Sequence, residues 1–279
     1  MKNENSQQNL TILVLGTGGT IAGLLENDSQ AKQDGAYTSA QLPVEALIPA
    51  SKYRIFAEQI AQIDSKDMSF DVWEKLHIRI SSAQNDSSIH AIVITHGTDT
   101  MEETAYFLRR TLPCNKPVIL TGAMRPADAV DSDGPHNMAF ALDQAEHLSA
   151  GVWVAFAGRI FSGDNVRKAH PTRLDAFESI DDDFVPFTSI VAFNLPIKRW
   201  PRVEVVMSYA GASDETLEAL IEQQVDGIVV AGTGNFTVHH ALEAKLDKAR
   251  EAGIAVSLGT RCLHGIVQSR IELMLRLLS

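Results

Sequence analysis

The feature that most constrains the fold is an alternation of short, apolar, β-branched runs with amphipathic stretches of about ten to fourteen residues. Such alternation is typical of βαβ units, which build parallel sheets. The predicted strands of the first half are Thr11 to Leu15, Tyr53 to Gln59, Ala91 to Thr95, Val118 to Thr121 and Val152 to Phe156. The predicted helices are Ser39 to Ile48, Phe70 to Ser82, Met101 to Leu112, with Asp99 or Thr100 as N-cap, and Asn137 to Leu148. The sequence therefore predicts a doubly wound α/β domain with a mostly parallel sheet.

The pattern breaks near residue 185 and then resumes. Prolines at 186, 196 and 201 interrupt any regular element there. Beyond them we predict strands Val203 to Met207, Gly227 to Ala231 and Ile254 to Leu258, with helices Asp214 to Gln224, Val238 to Ala252 and Val267 to Leu278. We therefore expect an N-terminal domain over 1–184, a linker over 185–202 and a smaller α/β domain over 203–279.

Charge and composition exclude several classes of partner. The 279 residues carry 24 Lys and Arg against 35 Asp and Glu, a net charge of −11 that disfavours nucleic acid. No apolar run reaches the ~18 residues of a membrane span, and the polar N-terminus has no apolar signal core. We therefore expect a cytoplasmic protein that does not associate with a membrane. The two cysteines are far apart and predict neither a disulfide framework nor a zinc site.

The first group of candidate site residues follows the first predicted strand. Ligands of doubly wound sheets bind beyond the carboxyl ends of the strands, where this chain reads Gly16-Thr17-Gly18-Gly19-Thr20. A dinucleotide fingerprint would need glycine at Ile21, and a phosphate loop would need lysine at Leu24. Without a nucleotide motif, Thr20 is interpreted as a threonine on a glycine turn. Its hydroxyl either caps the turn or faces a cleft.

The hydroxyl of Thr98 and the carboxylate of Asp99 follow the third predicted strand as a pair. The pair is either a helix cap or half of a hydroxyl-nucleophile site. A hydroxyl nucleophile needs a neighbouring group to take or stabilise its proton, and the candidates are Lys168 and Tyr37. His96 lacks a serine-hydrolase elbow and is interpreted as a packing or supporting residue. The histidine spacing gives no support for metal catalysis.

Two long motifs carry a family resemblance. They are Thr17-Gly18-Gly19-Thr20-Ile21-Ala22 and Ile94-Thr95-His96-Gly97-Thr98-Asp99-Thr100-Met101-Glu102-Glu103-Thr104-Ala105, supported by Thr121 to Pro126, Asp133 to Asn137 and Val229 to Asn235. With these motifs the sequence resembles bacterial L-asparaginases of the two-domain, threonine-nucleophile type, from about residue 10 to 260. The resemblance implies hydrolysis of L-asparagine to L-aspartate and ammonia through an acyl-enzyme, without a cofactor.

The resemblance also implies roles for the catalytic residues. Thr20 is the expected nucleophile, and Tyr37 the loop tyrosine that closes over the site and hydrogen-bonds the Thr20 hydroxyl. Thr98, Asp99 and Lys168 form the expected second cluster, in which the ammonium lowers the cost of deprotonating a threonine. From the residues alone, which threonine is acylated first stays open.

Further positions are expected to bind the substrate. Ser65 and Asp99 would hold its α-carboxylate and α-amino groups, the Thr98 N–H would stabilise the oxyanion, and the Ala123 carbonyl would accept from the departing amide nitrogen. Lys66 stands where exported relatives often have a glutamine that contacts the substrate amino group. The preference between asparagine and glutamine therefore stays open.

The second domain departs from the family pattern. Between Gly265 and the predicted last helix at Val267 we expect a deletion of some tens of residues, which would remove a glutamate that reaches a neighbouring subunit's site. The resemblance implies a homotetramer built from close dimers, and with this deletion both dimer and tetramer stay open. The alternatives are a dual glutaminase-asparaginase, an amino-acid-binding module without turnover, and an amidotransferase subunit, which would need an additional N-terminal domain.

Overall fold

The computed structural model describes residues 10–26, 36–181, 195–265 and 267. The chain divides between Pro196 and Ile197 into two compact units. That division lies within the predicted linker, of which residues 185–194 are outside the described part, as is nearly all of the predicted helix Val267 to Leu278. The linker and the domain boundaries remain predictions.

The first unit is built on a six-stranded sheet. Its strands are β1 (Thr11–Gly18), β4 (Arg54–Ile63), β5 (Ala91–Thr95), β6 (Pro117–Thr121), β7 (Gly151–Phe156) and β8 (Arg159–Ser162). They lie in the order β4-β1-β5-β6-β7-β8, with every neighbouring pair parallel except β7 and β8. The order reverses at β1, so the crevice beside its carboxyl end is the switch point where ligands bind in such sheets.

In the described part of this unit, three helices cover the two faces of the sheet. They are α1 (Phe70–Asn85), α2 (Met101–Thr111) and α3 (Gly134–Gln144). Leu13 and Leu15 pack in one core with α1 and α2, whereas Ile12 and Val14 pack in another with α3. Because successive strand residues point to opposite faces, a strand buried on both faces contains a continuous apolar run, as β1 does from Ile12 to Leu15. The predicted doubly wound fold is confirmed.

The remaining small strands of this unit form two hairpins. Strands β2 (Leu24–Leu25) and β3 (Tyr37–Thr38) pair antiparallel, as do β9 (Val166–Lys168) and β10 (Phe177–Ser179). These four strands, and also β8, are not predicted from the sequence. Strands of two to four residues carry too few alternating positions to be recognised from a pattern.

One predicted helix is wrong. Ser39 to Ile48 contains only a 3₁₀ turn over Val44–Leu47, preceded by Pro43 in an extended conformation. Proline restricts the residue before it to extended backbone, which prevents a helix from running through this position. Other predicted ends shift by a few residues: the second strand continues to Ile63, and the helix expected at Asn137 begins at Gly134.

The second unit has a three-stranded parallel sheet. Strands β11 (Val203–Met207), β12 (Gly227–Gly232) and β13 (Ala255–Thr260) lie in that order and accompany α4 (Glu215–Glu222) and α5 (His240–Glu251). The core contains Leu217, Val230 and Leu246, from α4, β12 and α5. A smaller α/β unit was predicted here and is confirmed.

Candidate active site

The first threonine cluster lies where β1 ends. Thr20 begins a 3₁₀ turn over Thr20–Ala22 and is 8% exposed. Its Oγ1 lies 2.9 Å from the phenol oxygen of Tyr37. Tyr37 reaches this position from the β2–β3 hairpin, in which Leu25 is its partner. The structure therefore brings together the two residues expected to form the first cluster, whereas residues 27–35 of the predicted closing loop lie outside the described part.

The second cluster lies at the carboxyl end of the neighbouring strand β5. Lys168 Nζ is 2.8 Å from Thr98 Oγ1 and 2.6 Å from Asp99 Oδ1. The Thr98 residue is 4% exposed and the Lys168 side chain 14%. An ammonium this close to a buried hydroxyl stabilises the alkoxide that deprotonation would leave. Three predicted residues thus meet in one hydrogen-bonded group.

Lys168 is held at its backbone as well as at its side chain. It ends strand β9 rather than standing in a loop, and its N–H donates to the carboxylate of Glu102 in the first turn of α2. Burial raises the pKa of Glu102. No role for Glu102 is predicted from the sequence, since its contact with Lys168 depends on the position of the short strand β9.

The two clusters belong to loops in close contact. A Cβ on Gly19 would lie only 2.3 Å from the backbone nitrogen of Gly97, so these glycines touch. Each directly precedes its cluster's threonine, which brings both hydroxyls to one crevice. Ser65 joins the second loop, because its Oγ accepts from the Asp99 N–H at 3.2 Å and its carbonyl oxygen accepts from the Thr100 hydroxyl at 2.7 Å.

Ala123 and Lys66 have contrasting surroundings. Ala123 follows β6, the next strand of the sheet, and is fully buried. The side chain of Lys66 is 63% exposed and pairs with Asp67 at 2.9 Å and Asp64 at 3.5 Å. These carboxylates raise the pKa of Lys66. Lys66 is therefore an exposed residue next to Ser65, and its ammonium is directed to acidic neighbours.

His96 is a supporting residue inside the second loop, in agreement with its interpretation from the sequence. It is fully buried, with Nδ1 2.7 Å from the Gly97 carbonyl oxygen and Nε2 2.8 Å from Thr104 Oγ1. Trp73 Nε1 donates to the same Thr104 oxygen at 2.8 Å. Burial lowers the pKa of His96 to about 4, so the ring is neutral at pH 7.

The described residues contain neither a cluster of metal ligands nor a helix that could span a membrane. Within 10–26, 36–181, 195–265 and 267, no group of three His, Cys, Asp or Glu residues could hold a metal ion. The helices of that same part include none that is long and apolar enough to cross a membrane. Both cysteines, Cys114 and Cys262, are free thiols.

The fold and the paired clusters together define a class: two-domain α/β enzymes with two threonine hydroxyls at the switch point of a parallel sheet. Residues 11–194 match the family model "Asparaginase, N-terminal", and residues 202–275 match "Glutaminase/Asparaginase C-terminal domain". The chain belongs to the asparaginase family.

Several known proteins are similar to this chain. It is 37% identical to a probable periplasmic L-asparaginase of Haemophilus influenzae, over 91% of this chain and 78% of that protein. It is 36% identical to L-asparaginase 2 of Escherichia coli, over 94% and 80%. The crystal structure of a probable cytoplasmic L-asparaginase from Campylobacter jejuni superimposes with a TM-score of 0.82 at 33% identity, over 95% of this chain and 88% of that one. The resemblance seen in the two threonine motifs is confirmed.

Proposed function

We propose that the protein hydrolyses L-asparagine to L-aspartate and ammonia, with Thr20 as the nucleophile. The observation that carries this proposal is the pairing of Thr20 with Tyr37 beside the Thr98–Lys168–Asp99 group. A threonine hydroxyl is a weak nucleophile unless a neighbour takes its proton. Here a phenol oxygen 2.9 Å away provides the first step of such a proton path.

The reaction proceeds in two balanced halves. Thr20 Oγ1 attacks the side-chain amide carbon, and its proton passes to the amide nitrogen, so that the C–N bond breaks and neutral ammonia leaves. Water then attacks the resulting ester, one of its protons returns to Thr20, and aspartate is released. Lys168 Nζ, 2.8 Å from Thr98 Oγ1, lowers the cost of deprotonating Thr98, and Thr98 is assigned to orient and activate that water.

The remaining predicted residues hold the substrate. Ser65 and Asp99 are assigned to the α-carboxylate and α-amino groups, because an amino-acid zwitterion needs donors and an acceptor fixed close together. The Thr98 N–H is assigned to the oxyanion, the Ala123 carbonyl to the departing nitrogen, and Lys66 to the rim of the amino-group site. No cofactor takes part in this scheme.

Replacing Thr20 tests the nucleophile. Thr20→Ala is expected to lower the kcat for ammonia release from L-asparagine by at least about 10³-fold, since no hydroxyl remains to form the ester. Thr20→Ser keeps a hydroxyl and is expected to retain measurable turnover. Thr17→Ser, at a buried threonine that hydrogen-bonds the Thr95 carbonyl, is the matched control. Full activity in Thr20→Ala would refute the mechanism.

Selectivity, assembly and location are part of the proposal. We infer a preference for asparagine, tested by comparing kcat/KM for L-asparagine and L-glutamine, since a dual enzyme would give nearly equal values.

We also infer a homo-oligomer, with light scattering in the presence and absence of L-aspartate distinguishing dimer from tetramer. We infer a cytoplasmic location, which the similarity to the probable cytoplasmic L-asparaginase from Campylobacter jejuni supports.

A further inference from the structure

Asp133 holds the loop that carries Ala123, and no role is yet assigned to it. Its carboxylate accepts from the Met124 N–H at 3.1 and 3.0 Å and from the Arg125 N–H at 3.0 Å. Asn137 Nδ2 donates to it at 3.0 Å. Three N–H groups thus converge on one carboxylate directly beyond β6.

Asn137 fixes the other side of the same loop. Its residue is 1% exposed, and Nδ2 also donates to the Gly122 carbonyl oxygen at 2.9 Å. Its Oδ1 accepts from the Ala157 N–H at 3.0 Å, beyond the end of β7. Both peptide groups that flank Ala123 are therefore anchored, one at the Gly122 carbonyl and the other at the Met124 N–H.

The second of these peptide groups links Asp133 to the reaction. The Ala123 carbonyl and the Met124 N–H belong to one trans peptide, in which the N–H and C=O bonds point in opposite directions. A carboxylate that accepts from the N–H shifts electron density toward the carbonyl oxygen, because hydrogen bonds in a chain polarise one another. Asp133 therefore makes the Ala123 oxygen a stronger acceptor and fixes its direction.

We propose that Asp133 is a positioning residue that stabilises the leaving nitrogen through the Ala123–Met124 peptide. After that nitrogen takes up the Thr20 proton and before the C–N electron pair moves onto it, its N–H groups carry positive charge toward the Ala123 oxygen. A polarised acceptor binds this state more tightly than the neutral substrate amide, which is the difference that accelerates a reaction. The inference rests on the proposed function, in which Ala123 accepts from the departing nitrogen.

Two substrates with different leaving groups separate this role from loop support. L-Asparagine releases a nitrogen that bears N–H groups, whereas L-aspartate β-methyl ester forms the same acyl-enzyme but releases an oxygen without them. In Asp133→Asn we expect kcat/KM for asparagine to fall about tenfold and kcat/KM for the ester to change less than about twofold. Asp131→Asn removes an equal charge from an exposed pair with Arg125, 3.1 Å apart, and is expected to change neither value.

The outcomes distinguish the inference from the proposed function. Equal losses on both substrates in Asp133→Asn would overturn the inference alone. If Asp133→Asn does not fold, Asp133→Ser is measured instead with the same expected results, because it removes the carboxylate and serine is a favoured residue at the N-cap position that Asp133 occupies in α3. A wild-type protein that hydrolyses neither substrate would overturn the proposed function and this inference together.

Discussion

At the residue scale, the site depends on hydroxyl groups that follow the strands and on the Asp133 carboxylate that holds a neighbouring loop. Thr20 and Thr98 follow predicted strands and are found at the sheet edge where such residues collect. The sequence indicates a helix start at Asp133, because Asp-Gly-Pro is a strong signal for one, but it indicates no role in the site. Its contact with the Met124 N–H depends on a loop path that the pattern does not specify.

The neutral, buried imidazole of His96 makes stability depend on pH. Burial lowers its pKa from 6.5 to about 4 in the folded chain, so between these values only the unfolded chain takes up the proton. The contribution of His96 is complete above the unfolded pKa and is lost as the pH falls toward 4. The free energy of unfolding should lose about 3 kcal/mol across this window from His96 alone.

Urea unfolding at several pH values measures this loss. His96→Gln cannot titrate and should show a shallower decline of unfolding free energy with falling pH than the wild type. His136→Gln, at an exposed position, is the matched control and should keep the wild-type decline. A His96→Gln curve parallel to that of the wild type would contradict the assignment.

At the element scale, packing between the ends of β1 and β5 determines the site. Gly19 has φ 81°, and an added Cβ would lie 2.3 Å from the Gly97 nitrogen. Gly19→Ala is expected to lower the free energy of unfolding by at least about 2 kcal/mol and to abolish ammonia release, because the two threonine loops must move apart. Urea unfolding and the ammonia assay measure both effects.

Gly158 provides the matched control for Gly19. It has φ 72° in the turn between β7 and β8, but nothing lies within 4 Å of an added Cβ. Gly158→Ala adds only the cost of the backbone conformation, about 1 kcal/mol, and should preserve activity. Equal effects of the two substitutions would show that contact between the loops does not matter.

Elements differed in how well the sequence predicted them. Strands buried on both faces, such as β1 and β5, are continuous apolar runs and were placed to within a few residues. The turn between β7 and β8 uses Ala157 and Gly158, both with positive φ, without the asparagine that often marks such turns. Hairpin β9–β10, which positions Lys168, is held by tertiary contacts and short pairing, neither of which has a periodic signal.

At the scale of the whole molecule, the two-domain α/β architecture was predictable because alternating strands and helices allow few topologies. Which strands become neighbours was not, since β1 lies between β4 and β5 and the order follows no local signal. That order places the ends of β1, β5 and β6 close together, and with them Thr20, Thr98 and Ala123.

In the proposed reaction Thr20, rather than Thr98, carries the acyl group. To identify the acylated residue, the wild-type protein is mixed with L-asparagine and quenched in acid during turnover, and the modified peptide is mapped by mass spectrometry. An aspartyl ester on the peptide that contains Thr20, absent from Thr20→Ala, is the expected result. An ester on Thr98 in the wild-type protein would contradict the assignment of the nucleophile.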